Sequence, residues 1–156
     1  MASRIVPEGG WQSRLKPVRT PRVKNDRHRQ FIKQLPCICC LVEGLEIQAD
    51  DPMHLRDGSR LHGKEPAGGG QTSDDRWTLP GCRPHHDEEG GNEGAFWRRF
   101  GIDPFLLALV LWGLTGRDFE ARQVLREHAV RGRAMRMIAE GAPSLPDSQT
   151  NAQAAS

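Results

Sequence analysis

Hydrophobic residues are scarce in this sequence: they make up 37% of its 156 residues, whereas about 45–50% is usual. Glycine and proline are abundant, with 17 and 11 residues. A chain of this length can bury only a thin core with such a composition. We therefore expect an additional stabilising element, and a bound metal ion is one that small folds use.

Long apolar runs are also absent. No stretch approaches the roughly 18 residues that a membrane-spanning helix needs. The first residues, Met1–Pro7, lack the apolar stretch of about 7–15 residues that marks a signal peptide. We therefore expect a cytoplasmic protein with no membrane partner, in a reducing compartment where cysteine clusters bind metals more often than they form disulfides.

The formal net charge of +2 conceals a basic N-terminal segment. Residues 1–36 contain nine Lys and Arg against two acidic residues, which gives +7 and leaves −5 for the rest of the chain. This asymmetry favours a partner that is a polyanion, nucleic acid first, although a solvated tail that aids solubility explains it equally well. The residues predicted to bind nucleic acid are Arg14, Lys16, Arg19, Arg22, Lys24, Arg27 and Arg29.

The first half of the chain has few helical signals. Residues 1–26 are predicted to form an extended basic arm, because prolines and a Gly-Gly pair interrupt any periodicity. A short helix is expected over residues 27–35, ended by Pro36. From residue 37 to about 80, turn residues leave room only for short strands over 45–49 and 77–79, with a flexible loop over 62–74.

Helical signals dominate the second half. Residues 93–100 carry aromatic residues at helix spacing, and Asp103 followed by Pro104 is typical of a helix start. The apolar run that follows ends at Gly116, and residues 118–140 predict a longer amphipathic helix. Its candidate core positions are Phe119, Val124, Leu125, Ala129, Met135 and Ile138. The chain thus divides into an arm (1–26), a domain (27–115), a C-terminal helix (116–141) and a disordered tail (142–156).

Two short pairs of metal-ligand residues stand out. Cys37 and Cys40 are separated by two residues, and Cys82 and His85 follow 41 residues later with the same gap. A tight turn lets both members of such a pair reach one zinc ion, and two pairs complete a tetrahedron with no open position. The zinc is therefore expected to be structural. Cys39 would point away, and His86 could replace His85 on spacing alone; buried apolar cysteines are the alternative.

Four segments of the sequence occur together in a fixed order. They read LPCICC from Leu35, DPMHLR from Asp51, SDDRWTLPGCRPHH from Ser73 and NEGAFW from Asn92. In this order they resemble the phage and prophage HNH endonucleases, which belong to the His-Me finger, or ββα-metal, nucleases. The resemblance covers roughly residues 27–112 and implies an α+β fold: a small zinc-stapled ββα-metal core with a helical C-terminal extension and a basic arm.

The resemblance also implies an activity, the hydrolysis of phosphodiester bonds in DNA, which is expected to be double-stranded. His54 would be the general base that deprotonates the attacking water, and His86 would ligate Mg²⁺ or another divalent cation at the scissile phosphate. Arg56 lies two residues beyond His54 on a strand, so it could contact a phosphate, although a surface ion pair explains it nearly as well.

The sequence departs from the family pattern at two positions. Met53 precedes His54 where His or Asp is frequent, and Gly90 lies four residues after His86 where a second His is frequent. Neither can ligate Mg²⁺, which prefers oxygen. The oxygen donors near these positions are Asp50, Asp51, Asp87, Glu89, Asn92 and Glu93, of which Asp51 and Asn92 are assigned to the metal.

The alternatives to an active nuclease are a catalytically degenerate, zinc-stabilised module that binds nucleic acid, and a phage assembly or interaction protein. In the latter case the C-terminal helix would dock a protein partner. A phage or prophage origin and a bacterial host cell are expected in each case.

Overall fold

The computed structural model describes residues 21–141 as a mixed α+β fold. Arg14, Lys16 and Arg19 of the predicted arm, and the predicted tail over residues 142–156, lie outside the described residues. The regular elements are six helices and two strands: α1 (Asp26–Lys33), α2 (Ile38–Glu43), β1 (Asp51–His54), β2 (Thr78–Gly81), α3 (Arg83–Glu89), α4 (Glu93–Phe100), α5 (Pro104–Gly113) and α6 (Asp118–Ala139).

The two strands form an antiparallel pair in the middle of the chain. Met53 lies opposite Leu79, and His54 lies opposite Thr78. A segment of irregular chain and two short 3-10 turns, Arg60–His62 and Asp75–Trp77, connect the strands. Because β2 leads into α3 after a single residue, the chain order around the sheet is strand, strand, helix.

Two expectations for the first half are wrong. A helix, α2, begins directly after Cys37 where only short strands were expected, and residues 45–49 form no strand. Gln48 instead makes an isolated bridge with Pro36. The reason is that residues 38–42 are all buried, so this apolar run packs on every side without the amphipathic period that identifies a helix. Gly44 ends α2 in the left-handed conformation (φ 86°).

The capped helices of the second half are confirmed. The side chain of Asn92 accepts a hydrogen bond from the backbone N–H of Ala95 at the start of α4. Asp103 accepts hydrogen bonds from Phe105 and Leu106 at the start of α5, where Pro104 occupies the first helical position. These contacts satisfy N–H groups that a helix start leaves without partners, which is why the sequence locates the starts well.

The buried face of α6 differs from the predicted one. Phe119, Met135 and Ile138 are 71%, 57% and 72% exposed, so their assignment to the core is wrong, and Val124 is half-buried. The buried residues of the helix are Ala121, Leu125, Ala129 and Gly132. Three of these four are small, and they let α6 approach α2 and α4 closely; the approach distance, rather than hydrophobicity, selects this face. No helix within residues 21–141 combines the length and apolarity needed to cross a membrane.

The substitution Gly132→Ala tests this close approach. A Cβ at position 132 would lie 2.5 Å from the backbone carbonyl oxygen of Phe100 and 3.2 Å from a methyl group of Val42. We expect Gly132→Ala to lower the free energy of unfolding by about 1–3 kcal/mol in urea titrations. Gly113→Ala is the control, since a Cβ there meets nothing within 4 Å, and alanine should stabilise that helix by up to about 1 kcal/mol. Equal effects of the two changes would contradict the packing described.

Candidate metal centre and histidine cavity

The four predicted ligands of the structural metal come together in the fold. The Sγ atoms of Cys40 and Cys82 are 3.6 Å apart, and Nδ1 of His85 lies 3.6, 3.5 and 3.1 Å from the sulfurs of Cys37, Cys40 and Cys82. All four donor atoms lie within 4.8 Å of one another. Metal–sulfur bonds of about 2.3 Å in a tetrahedron require donor separations of roughly 3.8 Å. The cluster therefore fits a tetrahedral metal ion.

Helix starts create this geometry. Cys37 immediately precedes α2, which brings Cys40 back to the same side one turn later, and Cys82 and His85 do the same at the start of α3. The fold also selects between the adjacent histidines: His85 belongs to the cluster and His86 does not. Cys39 is buried and lies outside the cluster, as expected.

A carboxylate supports the ligand histidine from outside the cluster. Nε2 of His85 lies 3.4 Å from the Glu43 carboxylate, on the ring side opposite to Nδ1. A carboxylate in this position fixes the ring and makes the ligating nitrogen more basic. Three thiols and one supported imidazole form the kind of soft donor set that zinc prefers.

Beside the metal centre, His54 and His86 line one cavity of about 300 Å³. His54 is the last residue of β1, and His86 lies on α3 next to the ligand His85. Arg56 and Glu89 also line this cavity. The Cys3His cluster includes the start of α3, and α3 presents His86 toward the strand that ends in His54.

His54 is bonded to a buried carboxylate. Its Nε2 lies 3.0 Å from Oδ1 of Asp75, whose side chain is fully buried. Burial lowers the pKa of His54 below its ordinary value, although Asp75 opposes this shift. The imidazole is consequently neutral near pH 7, which is the form that can accept a proton.

His86 contacts a carboxylate through Nδ1, whereas His54 does so through Nε2. Nδ1 of His86 lies 3.2 Å from Oδ2 of Asp51, and Nη1 of Arg83 lies 3.0 Å from the same oxygen. An Nδ1–H bonded to a carboxylate leaves the Nε2 lone pair available for another partner. Asp51, which the sequence suggested as a direct ligand, therefore orients His86 from behind.

The two departures from the family pattern have structural explanations. Met53 is fully buried, and its side chain packs directly over Gly81, where any Cβ would collide with it. Since successive strand residues point to opposite faces, Met53 belongs to the core and His54 faces the cavity. Gly90 ends α3, and its carbonyl oxygen accepts a hydrogen bond from Arg56. Asn92 caps α4 and does not line the cavity of His54 and His86.

Glu89 places a buried carboxylate oxygen at the cavity of His54 and His86. It is 2% exposed and lines the cavity, and its Oε1 has no hydrogen-bond partner among residues 21–141. The neighbouring Glu93 accepts the backbone N–H groups of Arg56 and Asp57 at 2.6 and 3.1 Å. Burial and the charge of Glu93 raise the pKa of Glu89 to about 7.

The raised pKa of Glu89 predicts an unusual pH dependence of stability. The ordinary pKa is 4.5, so between pH 4.5 and 7 the folded protein binds a proton that the unfolded chain releases. The stability contribution is complete below pH 4.5 and is lost as the pH rises through 7. Glutamine at position 89 cannot ionise. Relative to the wild-type protein, the free energy of unfolding of Glu89→Gln should therefore rise by roughly 3 kcal/mol between pH 5 and 8. Urea unfolding at both pH values measures this difference.

Glu88→Gln provides the matched control, because Glu88 is exposed and pairs with Arg99. Like the wild-type protein, Glu88→Gln should lose stability as the pH rises from 5 to 8. If wild-type protein and Glu89→Gln show the same change between pH 5 and 8, Glu89 is already ionised in the fold and the prediction is wrong.

The described residues of the predicted nucleic-acid set differ in their surroundings. Arg22 forms an ion pair with Asp75 at 2.8 Å, and Arg29 pairs with Asp26 and Asp75. Lys24 and Arg27 are exposed. Part of the basic charge before residue 30 is therefore bound to the fold at the His54 site, and part faces solvent.

Asp75 is a site residue that the sequence did not predict. It stands in the SDDRW segment next to Asp74, and no local feature distinguishes the two acidic residues. In the fold Asp75 is fully buried under His54, whereas Asp74 bonds Val23 and Arg76 near the surface. Only the tertiary arrangement identifies which carboxylate reaches the cavity histidine.

The fold and the site define an α+β protein with a candidate Cys3His metal centre beside a histidine-lined cavity. The chain belongs to the family described as "Protein of unknown function (DUF968)", whose profile matches residues 3–112. It is similar to the "Uncharacterized protein YdfU" of Escherichia coli (strain K12), with 32% identity over 90 residues. That match covers 58% of this chain and 23% of YdfU, so it spans less than a quarter of the relative's length. No solved structure matches the chain.

Proposed function

We propose that this chain is a metal-dependent DNA endonuclease of the HNH (His-Me finger, ββα-metal) type, and that the ion in its Cys3His centre is zinc with a structural role. The observation that carries the proposal is the shared cavity of His54 and His86, two residues that β1 and α3 contribute from opposite sides. Each has one ring nitrogen bonded to a carboxylate, which leaves the other nitrogen for chemistry.

His54 would act as the general base. A water molecule in the cavity would give a proton to the neutral imidazole while its oxygen forms a bond to phosphorus. The bond from phosphorus to the leaving sugar oxygen would break, and that oxygen would take a proton from solvent water. The lowered pKa of His54 keeps it unprotonated at neutral pH, so it is ready to accept that proton. The proximity of Arg56 supports a contact with a phosphate oxygen.

His86 and Glu89 would hold the catalytic divalent cation, Mg²⁺ or a related ion, and Asp51 would support His86. This donor set fits such an ion because Glu89 offers a buried carboxylate oxygen without a partner. The cation would supply positive charge next to the phosphate, which lowers the energy of a transition state with developing negative charge. Because its pKa is raised to about 7, Glu89 would release a proton when the cation binds.

Double-stranded DNA is the proposed substrate, and the basic N-terminal residues are proposed to bind its phosphates. The exposed positions of Lys24 and Arg27 are consistent with this role. Such contacts make affinity strongly dependent on salt. The cytoplasmic location, the bacterial host and the phage or prophage origin stay predictions.

The experiment that tests the proposal is incubation of the full chain, with its zinc, with supercoiled plasmid and Mg²⁺, Mn²⁺, Ni²⁺ or Zn²⁺. Metal-dependent conversion of the plasmid to nicked or linear form, absent in His86→Ala, would support it. Salt-sensitive DNA binding without cleavage in any metal would instead indicate a degenerate binding module. No binding at either 50 or 200 mM salt would indicate an assembly or interaction protein.

A further inference from the structure

We propose that Asp75 is a positioning residue that fixes the tautomer and the ring orientation of His54, so that Nδ1 is the atom that accepts the proton. The catalytic consequence rests on the proposed nuclease function. The tautomer itself does not, because it follows from the contacts of Asp75 in the folded chain.

The partners of Asp75 determine its charge. Oδ1 accepts hydrogen bonds from Nη2 of Arg22 at 2.8 Å and from His54, and Oδ2 accepts the backbone N–H of Asn25 at 2.7 Å. Nε of Arg29 lies 3.4 Å from Oδ2. Although burial opposes ionisation, these hydrogen bonds lower the pKa of Asp75 below its ordinary value. Asp75 is therefore an ionised carboxylate at neutral pH, even though its side chain is fully buried.

The charge of Asp75 decides the tautomer of His54. An ionised carboxylate has no hydrogen to donate, so the ring nitrogen 3.0 Å from Oδ1 must carry the proton. That nitrogen is Nε2, which leaves the lone pair on Nδ1. Arg22 also lies 3.4 Å from Nε2, and it helps to hold the carboxylate in place.

The groups around His54 divide into two sets. Asp75 and Arg22 contact its Nε2 edge, with His28 and Arg29 close to Asp75 on the same side of the fold. On the cavity side the charged or titratable groups are Arg56, His86 and Glu89. The backbone carbonyl of Pro52 is a second hydrogen-bond acceptor toward the ring, with a weaker effect on the pKa of His54 than Asp75. The neutral ring has one N–H, and the ionised Asp75 is the stronger of the two acceptors. Removal of Asp75 should therefore change both the tautomer and the pKa of His54.

A purely structural role for Asp75 is the competing explanation, since this residue also ties Arg22 and Asn25 to the 3-10 turn Asp75–Trp77. The two explanations differ in what Asp75→Asn does to His54. The asparagine amide can present N–H to Nε2, which would favour the Nδ1–H tautomer and block the base. The role of Asp75 in tying the segment together would affect stability but would not select a tautomer.

The test measures the ¹⁵N shifts of His54 by long-range proton–nitrogen NMR, together with the plasmid-nicking rate, in wild-type protein, Asp75→Asn and Asp74→Asn. We expect Nε2–H in the wild-type protein and in Asp74→Asn, and a loss of that fixed tautomer in Asp75→Asn. Nicking by Asp75→Asn should fall by about 10²-fold or more with little change in KM, and its acid limb should move to lower pH because the carboxylate that stabilises the imidazolium is gone. Asp74→Asn should stay within about threefold of the wild-type rate, since it changes a surface carboxylate that does not contact His54.

An Nδ1–H wild-type His54 would overturn the proposal, as would an Asp75→Asn protein with unchanged tautomer and pH profile. If Asp75→Asn does not fold, the wild-type spectrum still shows which tautomer His54 has, and the Nδ1–H form would refute the proposal. A wild-type protein that has the Nε2–H tautomer but nicks no plasmid would preserve the positioning role and refute the nuclease. A protein that nicks plasmid but has an Nδ1–H His54 would support the nuclease and refute the positioning role of Asp75.

Discussion

Replacement of Cys40 by serine is expected to abolish cooperative folding at 25 °C. Cys40 is one of four donors that join the start of α2 to the start of α3, two segments separated by more than 40 residues. Structural zinc contributes on the order of 10 kcal/mol to small domains, whereas the whole stability of a domain is about 5–15 kcal/mol. With a thin hydrophobic share of 37%, this chain has little other stabilisation to replace a lost metal ion.

Cys39→Ser is the matched control, because it makes the same chemical change at the adjacent position. Cys39 is buried in the core but lies outside the metal cluster. The substitution Cys39→Ser should lower the free energy of unfolding by about 1–2 kcal/mol, and the variant should keep one zinc per chain. Elemental analysis and circular dichroism with and without a chelator measure both effects. A well-folded, zinc-free Cys40→Ser protein would show that the cluster is only a set of buried thiols.

The second large effect is expected from His54→Ala, which should slow metal-dependent plasmid nicking by about 10²–10⁴-fold. The change removes the neutral imidazole that would take the proton from water, and alanine offers no proton acceptor at the end of β1. The fold should survive, because Asp75 keeps its contacts with Arg22 and the backbone of Asn25. DNA affinity and melting temperature should consequently change little.

His128→Ala controls for the loss of a histidine elsewhere. His128 lies on α6, whose packing surface is formed by its small buried residues, and it does not line the cavity of His54 and His86. Its nicking rate should stay within about twofold of the wild type. Equal nicking rates for His54→Ala and the wild-type protein would remove His54 from the reaction.

The Cys3His cluster was predictable because it depends on the spacing of residues that are close in sequence. A gap of two residues places Cys37 and Cys40 on one side of a tight turn, and it does the same for Cys82 and His85. This local geometry does not depend on contacts with the rest of the fold. The start of α5 was predictable for the same reason, since Asp103 caps residues at most three positions ahead of it. Asn92, which the sequence assigned to the metal, caps α4 in the same way. Local chemistry thus locates the scaffold of the site.

The remaining features depend on contacts between distant segments. The apolar run of α2 has no period to reveal a helix, and the buried face of α6 is selected by how closely Gly132 and its small neighbours approach other helices. Asp75 has no distinguishing signal in the sequence, and Glu89 is one of six oxygen donors among which the sequence does not select it. Each becomes a candidate site residue only because folding buries its carboxylate next to a histidine or leaves an oxygen without a partner.

Chemical rescue shows whether His54 is the base of a metal-dependent nuclease. Imidazole added to His54→Ala can enter the cavity of about 300 Å³ that the variant enlarges. We predict that it restores plasmid nicking by at least about tenfold, in proportion to its concentration, and leaves the wild-type rate unchanged. A His54→Ala protein that nicks at the wild-type rate, or that imidazole does not accelerate, would show that His54 is not the general base.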